Sequence, residues 1–518
     1  MTWLVGISGK AYESLGSENV AWAIVAAGVL LRGAQYLAHG ALFVDEAALA
    51  LNIVNRSMAG LLQPLDYDQG APIGFLLVER LAVLAFGNNE FSLRLFPFLA
   101  GVGSMFLFRE VARRILSPKI AAIALAFFAA SDYLIYYSAQ VKQYSTDVAL
   151  TLLVLVMALR FIAGESTVRR VLAIGLAGVL AVWLSHPAIF VLSGAGVTLA
   201  LRAAMRKEWR RFWHVSIAGS LWLISFGASY LVSLRGLSGN ANLQEYWERE
   251  GGFIPLHPLS RSTAKWLGSA LLQFFVEPMP MEYPIVASVL LLSGCAFLCF
   301  KKRTDFFLLL LPMVFAVFAS SQHRYPLASR LLLFAVPLAV VLIAAGAELF
   351  TEIKGRYLGV VGYALAVLLL FNPVVSASYS LVHPRVRENI RPIMEYVRDH
   401  RQAGDILYVY HHQKEAFEYY APKYGIGHED YVIGLDPRYH AEESAAQIND
   451  LHGRGGRVWT LFSHVRGNRQ HNEEAIFLAQ FDKVGTRLDS FGQHRATVYL
   501  YDMSRGQGTG PLIPDPDP

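Results

Sequence analysis

Charged residues are scarce in this chain. Only 16% of its 518 residues are Asp, Glu, Lys or Arg, 54% are hydrophobic, and the mean hydropathy is +0.38. A soluble domain carries about 25% charged residues, so the composition excludes an ordinary soluble protein. Cysteine is almost absent: Cys295 and Cys299 share one helix face and are predicted to be buried structural thiols. A Gly-rich nucleotide-binding fingerprint is also lacking.

Apolar segments long enough to cross a bilayer recur through the first three quarters of the chain. We predict eleven spans, at 20–38, 91–108, 119–138, 143–163, 168–185, 187–204, 212–233, 282–300, 304–321, 327–349 and 357–380. Segment 72–87 is also apolar, but Glu79 and Arg80 at its centre would each cost about 2.5–3.5 kcal/mol in a span. We interpret it as an in-plane or re-entrant helix. Residues 1–19 lack a signal-peptide pattern, so the first span is expected to be a retained anchor.

Basic residues concentrate in alternate loops. The clusters are Arg109, Arg113, Arg114 and Lys119; Arg169 and Arg170; Arg206, Lys207, Arg210 and Arg211; Lys301, Lys302 and Arg303; and Lys354 and Arg356. By the positive-inside rule these loops are cytoplasmic, the N-terminus lies inside and residues after about 382 lie outside. The net charge of +5 therefore reports topology, and we expect a membrane but no nucleic-acid partner.

The chain divides by composition into five regions. We predict an anchor at 1–38, a first outer loop with juxtamembrane helices at 39–90, a transmembrane bundle at 91–380, a soluble α/β domain at 385–505 and a disordered tail at 506–518. In the α/β domain the predicted helices are Arg387–His400, Lys414–Tyr420, Ala441–Leu451 and Glu473–Phe481, and the predicted strands are Asp405–Tyr410, Tyr431–Gly434, Arg457–Phe462 and Ala496–Tyr501. Such alternation predicts a small open sheet with parallel pairing.

Two adjacent carboxylates follow the first predicted span. Asp45 and Glu46 stand where desolvating an acid is costly, which favours a position in a watery cavity with a task there. Adjacent helical residues point about 100° apart, so one would accept a proton from an acceptor hydroxyl while the other orients a helix terminus or binds a neighbour. The alternative is structural, with Asp45 as an N-cap for Glu46–Asn55.

Further polar residues lie in the predicted outer loops. Asp66 and Asp68 stand in a Pro/Gly turn, as turn formers or as further carboxylates of the site. Lys142 is the one basic residue in its outer turn, where it snorkels to lipid headgroups or holds a substrate phosphate, with Gln140, Gln143 and Tyr144 as hydrogen-bond donors.

Three other positions complete the predicted site. His186 ends one span at the outer face, as a cap or a ligand, and Arg324, followed by Tyr325, is a candidate second phosphate clamp. In the soluble domain His411, His412 and His464 lie at predicted strand ends, where open sheets place binding sites. We expect a recognition or scaffolding role for them.

These motifs resemble the GT-C integral-membrane glycosyltransferases, in the branch of protein O-mannosyltransferases and aminoarabinose transferases. They are most similar to the bacterial lipopolysaccharide-core galacturonosyltransferase-like group. The matching elements are Phe43-Val-Asp45-Glu46-Ala, the Pro72 segment, Phe91-Ser-Leu-Arg94-Leu-Phe-Pro, Gln140-Val-Lys142-Gln-Tyr144 and Arg324-Tyr325. Relatives often carry Arg at the position of Lys142, and His or Lys before the Pro72 element, where this chain has Gly70-Ala71.

The resemblance implies a GT-C fold of about 11–13 transmembrane helices with a C-terminal soluble α/β domain. It implies inverting transfer of a sugar from a polyprenyl-phosphate donor to an envelope glycan, lipid or protein at the periplasmic face of the bacterial inner membrane, with Asp45 as base and Lys142 on phosphate. We expect no metal site and no cofactor, a divalent cation being compatible but not required. The alternatives are a transporter or flippase for a lipid-linked glycan and a catalytically inactive assembly protein.

Overall fold

The computed structural model describes residues 16–255, 260–353, 356–436, 440–465, 473–493 and 495–504. In chain order the helices are α1 (Glu18–Leu37), α2 (Val44–Asn55), α3 (Ile73–Phe86), α4 (Glu90–Ile115), α5 (Pro118–Ala130), α6 (Asp132–Tyr137), α7 (Tyr144–Ala163), α8 (Val168–Leu184), α9 (Ala188–Met205), α10 (Trp209–Ser229), α11 (Arg235–Ser238), α12 (Ala241–Arg249), α13 (Arg261–Phe274), α14 (Pro284–Lys301), α15 (Arg303–Ser321), α16 (Val336–Glu352), α17 (Arg356–Val382), α18 (Arg391–His400), α19 (Lys414–Tyr420), α20 (Ala441–Arg454) and α21 (Glu473–Val484). The strands are β1 (Ile406–Val409), β2 (Tyr431–Ile433), β3 (Arg457–Ser463), β4 (Thr486–Gln493) and β5 (Ala496–Asp502).

The chain forms two compact units. The membrane unit comprises Met1–Ala38 and Arg56–Pro384, and the sheet unit comprises His39–Asn55 and Arg385–Pro518. The first outer loop, which we treated as one region from 39 to 90, is therefore divided between them. The reason lies in α2, which packs against α19 of the sheet unit, while the Leu42 N–H donates to the Tyr420 hydroxyl at 2.9 Å. The tail at 506–518 lies outside the described residues.

The membrane unit is a bundle of apolar helices. Within the described residues, nine helices are long and apolar enough to cross a membrane, and they coincide with nine of the eleven predicted spans. Predicted span 168–185 is α8, with 17 residues. Predicted span 119–138 is broken into α5 and α6, of 13 and 6 residues. The prediction of a polytopic helical membrane protein is thus confirmed, and segment 72–87 is the 14-residue α3.

A buried arginine accompanies the break between α5 and α6. Arg32 is 0% exposed and donates to Gly28 O at 3.0 Å, Ala129 O at 3.3 Å and Phe128 O at 3.4 Å. Phe128 and Ala129 belong to the last turn of α5, whose carbonyls have no partner within the helix. The Arg32 side chain of α1 therefore supplies hydrogen bonds to the carbonyl groups at the end of α5, where the hydrocarbon of the membrane excludes water.

The centre of the membrane unit is α16 with the 3₁₀ turn before it. In the most apolar 18-residue window of Ser329–Glu352, 94% of the residues are buried. Glycine allows α14 to approach α16 closely, because a Cβ on Gly346 would lie 2.0 Å from Leu290 O and one on Gly294 would lie 1.8 Å from Leu342 O. Small residues at a crossing are the usual means by which helices pack in lipid.

The sheet unit holds a five-stranded sheet in the order β2-β1-β3-β5-β4. The strands β2, β1 and β3 are parallel, as predicted, whereas β5 pairs antiparallel with both β3 and β4. The sequence analysis missed β4, an edge strand in which Arg487, Asp489 and Gln493 dilute the apolar pattern. A small C-terminal α/β domain is nevertheless confirmed.

Helices cover both faces of the sheet. Val458 and Phe462 of β3 pack with apolar side chains of α20 and α21 on one face. On the other face Trp459 contacts Tyr396 of α18, with ring centroids 6.1 Å apart, and its indole N–H donates to Asp405 Oδ2 at 2.8 Å. The alternation of side chains along β3 thus decides which helix each residue meets.

Candidate functional site

The two predicted catalytic acids have different surroundings in the first turn of α2. Glu46 is 1% exposed, and its Oε2 accepts the Phe43 backbone N–H at 3.2 Å. The Ala47 N–H donates to Phe43 O at 2.8 Å, so Phe43 is the N-cap and Glu46 reaches back from the third helical position. Asp45 is half-buried. Glu46 therefore shapes the helix start, and Asp45 is the stronger candidate for a base.

Phe43, two residues before Asp45, is held by other side chains of the sheet unit. The Phe43 ring meets the His464 ring edge-on at 4.9 Å, and the Arg387 guanidinium lies over the Phe43 ring at 5.0 Å. His464 follows β3 and its Nδ1 lies 3.1 Å from Glu388 Oε1. The beginning of α2 is thus fixed by side chains near the carboxyl end of β3, the edge at which open sheets present their sites.

A third carboxyl group lies near Asp45 within the sheet unit. Burial raises the pKa of Glu415, on α19, and the charges of Glu418 and Asp45 add to this effect, whereas the neighbouring Lys414 opposes it. Since Glu415 belongs to the helix on which α2 packs, it contributes to the electrostatic environment of Asp45. The sequence analysis did not single it out, because no local pattern joins residues 45 and 415.

In the membrane unit, Lys142 lies just before α7 and is 7% exposed. Its Nζ donates to Gln69 Oε1 at 2.6 Å, and Gln143 Nε2 donates to Gly70 O at 3.4 Å. These contacts tie the loop before α7 to the loop before α3. The contact with Gln69 orients the Lys142 ammonium. The N-terminus of α7, a helix of 20 residues, adds partial positive charge nearby.

Several buried polar atoms lie in or just before α7 and directly after α8. The atoms that have no hydrogen-bond partner among the described residues include Gln143 Oε1, Thr146 Oγ1, Asp147 Oδ1, Thr151 Oγ1, Ser185 Oγ and His186 Nε2. Asp147 and Ser185 are 4% and 1% exposed and lie beside each other. Buried polar atoms in folded proteins are normally satisfied, so water or a polar ligand is expected there.

Tyr325 and His186 lie close to this group. Burial raises the pKa of the Tyr325 hydroxyl well above its usual value, with additional contributions from Asp147 and Tyr144, and the hydroxyl donates to Leu331 O at 2.7 Å. Burial lowers the pKa of His186 to about 4, so its imidazole is neutral near pH 7. The structure thus brings the predicted residues Tyr144 and Tyr325 to Asp147, and places His186 directly after Ser185.

Three predicted binding residues have other surroundings. The Asp66 carboxylate, which is 64% exposed, pairs with Arg56 at 2.7 Å. Asp68 accepts from Asn240 Nδ2 at 2.8 Å and from Asn242 Nδ2 at 3.2 Å, which joins its turn to the start of α12. Arg324 is exposed. None of these contacts joins the three residues to Lys142, so their binding roles stay predictions from sequence.

The sequence analysis missed Asp147, Ser185 and Gln69. An acid inside an apolar span is itself an indication of function, and Asp147, one turn after Tyr144, could have been found on that ground. Ser185 could have followed from its place beside His186. Gln69 had no such indication, since it meets Lys142 only through the folding of two loops 73 residues apart in sequence.

Comparisons with known proteins give a family match and several similar folds. Residues 70–230 match the family described as dolichyl-phosphate-mannose-protein mannosyltransferase, a range that includes Lys142 and His186 but not Asp45. No curated protein sequence matches the chain.

Solved structures agree in fold over almost the whole chain. The crystal structure of ArnT from Cupriavidus metallidurans in the apo state has 14% identity and a TM-score of 0.54, covering 93% of this chain and 98% of that one. The same protein bound to undecaprenyl phosphate has 12% identity and a TM-score of 0.52, covering 92% and 97%. The oligosaccharyltransferase AglB from Archaeoglobus fulgidus, in complex with an inhibitory peptide and a dolichol-phosphate, has 12% identity and a TM-score of 0.50, covering 92% and 74%.

Residues 70–230 thus resemble a mannosyltransferase family, and almost the whole chain shares the fold of ArnT. The expectation of a GT-C type helical membrane bundle with a small C-terminal sheet domain is confirmed. At 12–14% identity the structural likeness shows the fold alone.

Proposed function

We propose that the protein is an inverting glycosyltransferase that moves a sugar from a polyprenyl-phosphate donor to an envelope acceptor, at the periplasmic face of the inner membrane. The acceptor class is a lipopolysaccharide, another glycan or a protein. In this proposal Lys142 binds the donor phosphate and Asp45 removes the proton of the acceptor hydroxyl. Glu46 supports the helix that carries Asp45.

The main supporting observation is the buried ammonium of Lys142, which is followed along α7 by buried polar atoms that have no hydrogen-bond partner among the described residues. Each unsatisfied buried polar atom costs about 1–3 kcal/mol, so such atoms favour contact with water or a polar ligand. A buried lysine at a helix N-terminus favours an anion. A phosphate joined to a sugar supplies both the charge and the hydroxyl groups that such a group can bind.

The similar proteins support the same chemical class of donor. The matched family is described by dolichyl-phosphate-mannose, one similar structure holds undecaprenyl phosphate and another holds a dolichol-phosphate. All three are phosphates of a polyprenyl lipid. Lys142 and His186 both belong to turns, at 139–142 and 186, that the distribution of basic residues predicts to be outside. Their positions favour a site that faces away from the cytoplasm.

The proposed reaction needs two functions from the protein. The leaving group departs as a lipid phosphate, so the cation of Lys142 stabilises the negative charge that develops in the transition state. The acceptor hydroxyl attacks the anomeric carbon from the opposite side, and the Asp45 carboxylate takes its proton. Bond formation and cleavage balance without a nucleotide, and the products are the glycosylated acceptor and the lipid phosphate.

The test separates donor binding from transfer. Full-length protein in nanodiscs is titrated with undecaprenyl phosphate and its binding is followed by native mass spectrometry, while the envelope glycans of a complemented deletion strain are compared by mass spectrometry. Loss of a charge-assisted contact of about 1.5–3 kcal/mol predicts roughly 10–150-fold weaker binding for Lys142→Gln. The matched control is Lys265→Gln, which removes an exposed lysine of α13.

The outcomes separate the candidate functions. A transferase keeps undecaprenyl phosphate binding in Asp45→Asn but loses the glycan product, whereas a transporter still delivers its lipid-linked glycan across the bilayer. If Lys142→Gln binds undecaprenyl phosphate as tightly as Lys265→Gln, the assignment of the phosphate site is wrong. If neither Asp45→Asn nor Lys142→Gln changes any glycan, the protein is not the transferase.

A further inference from the structure

Three side chains converge at one edge of the sheet unit, apart from the residues assigned to transfer. His411 and His412 lie in a 3₁₀ turn just after β1, and Asp436 lies three residues after β2. The strands β1 and β2 are parallel neighbours, so their carboxyl ends meet at the same edge. Residues that are 24 positions apart in sequence are therefore brought together by the register of the sheet.

The distances between these side chains fit a metal centre. One ligand atom from each of the three residues lies within 4.8 Å of the other two. His411 Nε2 lies 3.6 Å from Asp436 Oδ2, which is long for a hydrogen bond. Around a tetrahedral zinc ion with bonds of about 2.0–2.1 Å, neighbouring ligand atoms lie roughly 3.3–3.5 Å apart. The separation between His411 and Asp436 therefore needs little change to accept an ion, while the His412 atom lies within 4.8 Å of both.

The three groups are also shielded and positioned. The side chains of His411 and Asp436 are only 10% and 18% exposed. The His411 ring packs against the Tyr410 ring, with centroids 4.3 Å apart, and the Tyr410 hydroxyl donates to Glu473. The Gly434 N–H donates to Val409 O at 2.8 Å, which holds the segment leading to Asp436 against the end of β1. Such support keeps ligands in place before the ion binds.

We propose that His411, His412 and Asp436 bind a zinc ion, with water in the fourth position. Two imidazoles and one carboxylate suit zinc, whereas magnesium and calcium prefer oxygen ligands throughout. The ion would join the ends of β1 and β2 and stabilise the fold of the sheet unit. The zinc ion takes no part in the bond-making and bond-breaking of the proposed transfer reaction.

A path of ring contacts connects this centre to the beginning of α2. The rings of His412 and His464 have centroids 6.3 Å apart, and His464 meets Phe43 edge-on at 4.9 Å. Phe43 is the N-cap of the helix that bears Asp45. Zinc at this edge therefore stabilises the support on which the candidate base depends, and it acts there as a positioning ion rather than as a reactant.

Metal binding is measured directly on the full-length protein in detergent. After dialysis against a chelator, the protein is titrated with zinc in competition with a fluorescent chelator, its zinc content is determined by mass spectrometry, and its thermal unfolding is followed with and without zinc. We expect one zinc per chain and a higher Tm with zinc. Cobalt in place of zinc is expected to give the visible absorption bands of a four-coordinate N/O site.

The variants His411→Ala and Asp436→Asn are expected to weaken zinc binding more than about tenfold and to remove the zinc-dependent rise in Tm. The control is His428→Ala, which removes an exposed histidine of the same unit. The cobalt spectrum is recorded on the unsubstituted protein, so it tests for the metal site even if a substitution prevents folding. No zinc bound by the unsubstituted protein, or zinc bound equally by His411→Ala and His428→Ala, overturns the proposal.

Discussion

Asp45 and Glu46 are adjacent acids with different expected roles, and exchanging each for its amide tests this directly. Glu46→Gln keeps an acceptor oxygen for the Phe43 N–H but removes the negative charge from the first turn of α2. A charge at a helix N-terminus contributes about 0.3–1 kcal/mol at the surface and up to about 2 kcal/mol when partly buried. Because Glu46 is 1% exposed, we expect a loss near the upper end.

The loss should appear as a lower melting temperature with little change in the chemistry of transfer. For a domain of roughly 150–250 residues, a loss of 1 kcal/mol in the free energy of unfolding lowers Tm by about 2–4 °C. Glu46→Gln is therefore expected to lower Tm by several degrees. Asp45→Asn leaves the capping contact of Glu46 intact, and removing a general base typically lowers the rate about 10²–10⁴-fold. It should therefore reduce product by that factor and lower Tm less than Glu46→Gln does, since Asp45 is only half-buried.

The assay combines thermal unfolding of both purified variants with glycan mass spectrometry in complemented deletion strains, at matched expression. Growth at reduced temperature restores the folded fraction of Glu46→Gln and with it the product, but has no such effect on Asp45→Asn. The reasoning is refuted if Glu46→Gln has the Tm of the unsubstituted protein and yet makes no product, or if Asp45→Asn remains active.

Three further predictions concern the membrane unit. Gly346→Leu is expected to prevent close packing of α14 and α16 and to abolish a stable fold, because even a Cβ there would lie 2.0 Å from Leu290 O. The control is Gly219→Leu, where a Cβ meets no atom within 4 Å, and this variant should keep the melting temperature of the unsubstituted protein in detergent. Burial lowers the pKa of His186 to about 4, below the value near 6.5 of the unfolded chain, so between these values the unfolded state binds more protons and Tm should fall as pH drops from 6.5 to 4. His186→Gln removes that share of the pH dependence, and equal slopes of Tm against pH would contradict it. Tyr325→Phe loses the hydrogen bond to Leu331 O and should lower stability by about 1 kcal/mol, measured as a shift in the unfolding midpoint, while Tyr379→Phe, an exposed position, should not.

Local composition was sufficient to predict most of the fold. A bilayer span depends on length and hydropathy within one segment, which is why nine predicted spans coincide with long apolar helices. The break in 119–138 was not predicted, and the carbonyls of Phe128 and Ala129 beside it are bonded by Arg32, almost one hundred residues earlier in the chain. The edge strand β4 was missed since it has one covered face and an irregular register near Arg487.

The candidate site shows the same limit. Lys142 stood out as a single basic residue in an outer turn, and the structure buries it. Its partner Gln69 and the neighbouring Ser185 come from other loops, so no spacing in the sequence relates them to Lys142 or Asp147. What a sequence displays is a residue type in an unusual place, whereas the groups that orient it depend on contacts made only after folding.

The acidic pair illustrates how structure divides a function that the sequence presents as one motif. The two side chains have the same charge and adjoin each other, and helical geometry requires only that they point in different directions. The contact from Phe43 to Glu46 decides which acid serves the helix. The Glu46 carboxylate is engaged with the backbone at the start of its own helix, and Asp45 lies near Glu415 on the adjoining helix. In the proposed mechanism the third helical position therefore carries the capping acid and the second carries the base.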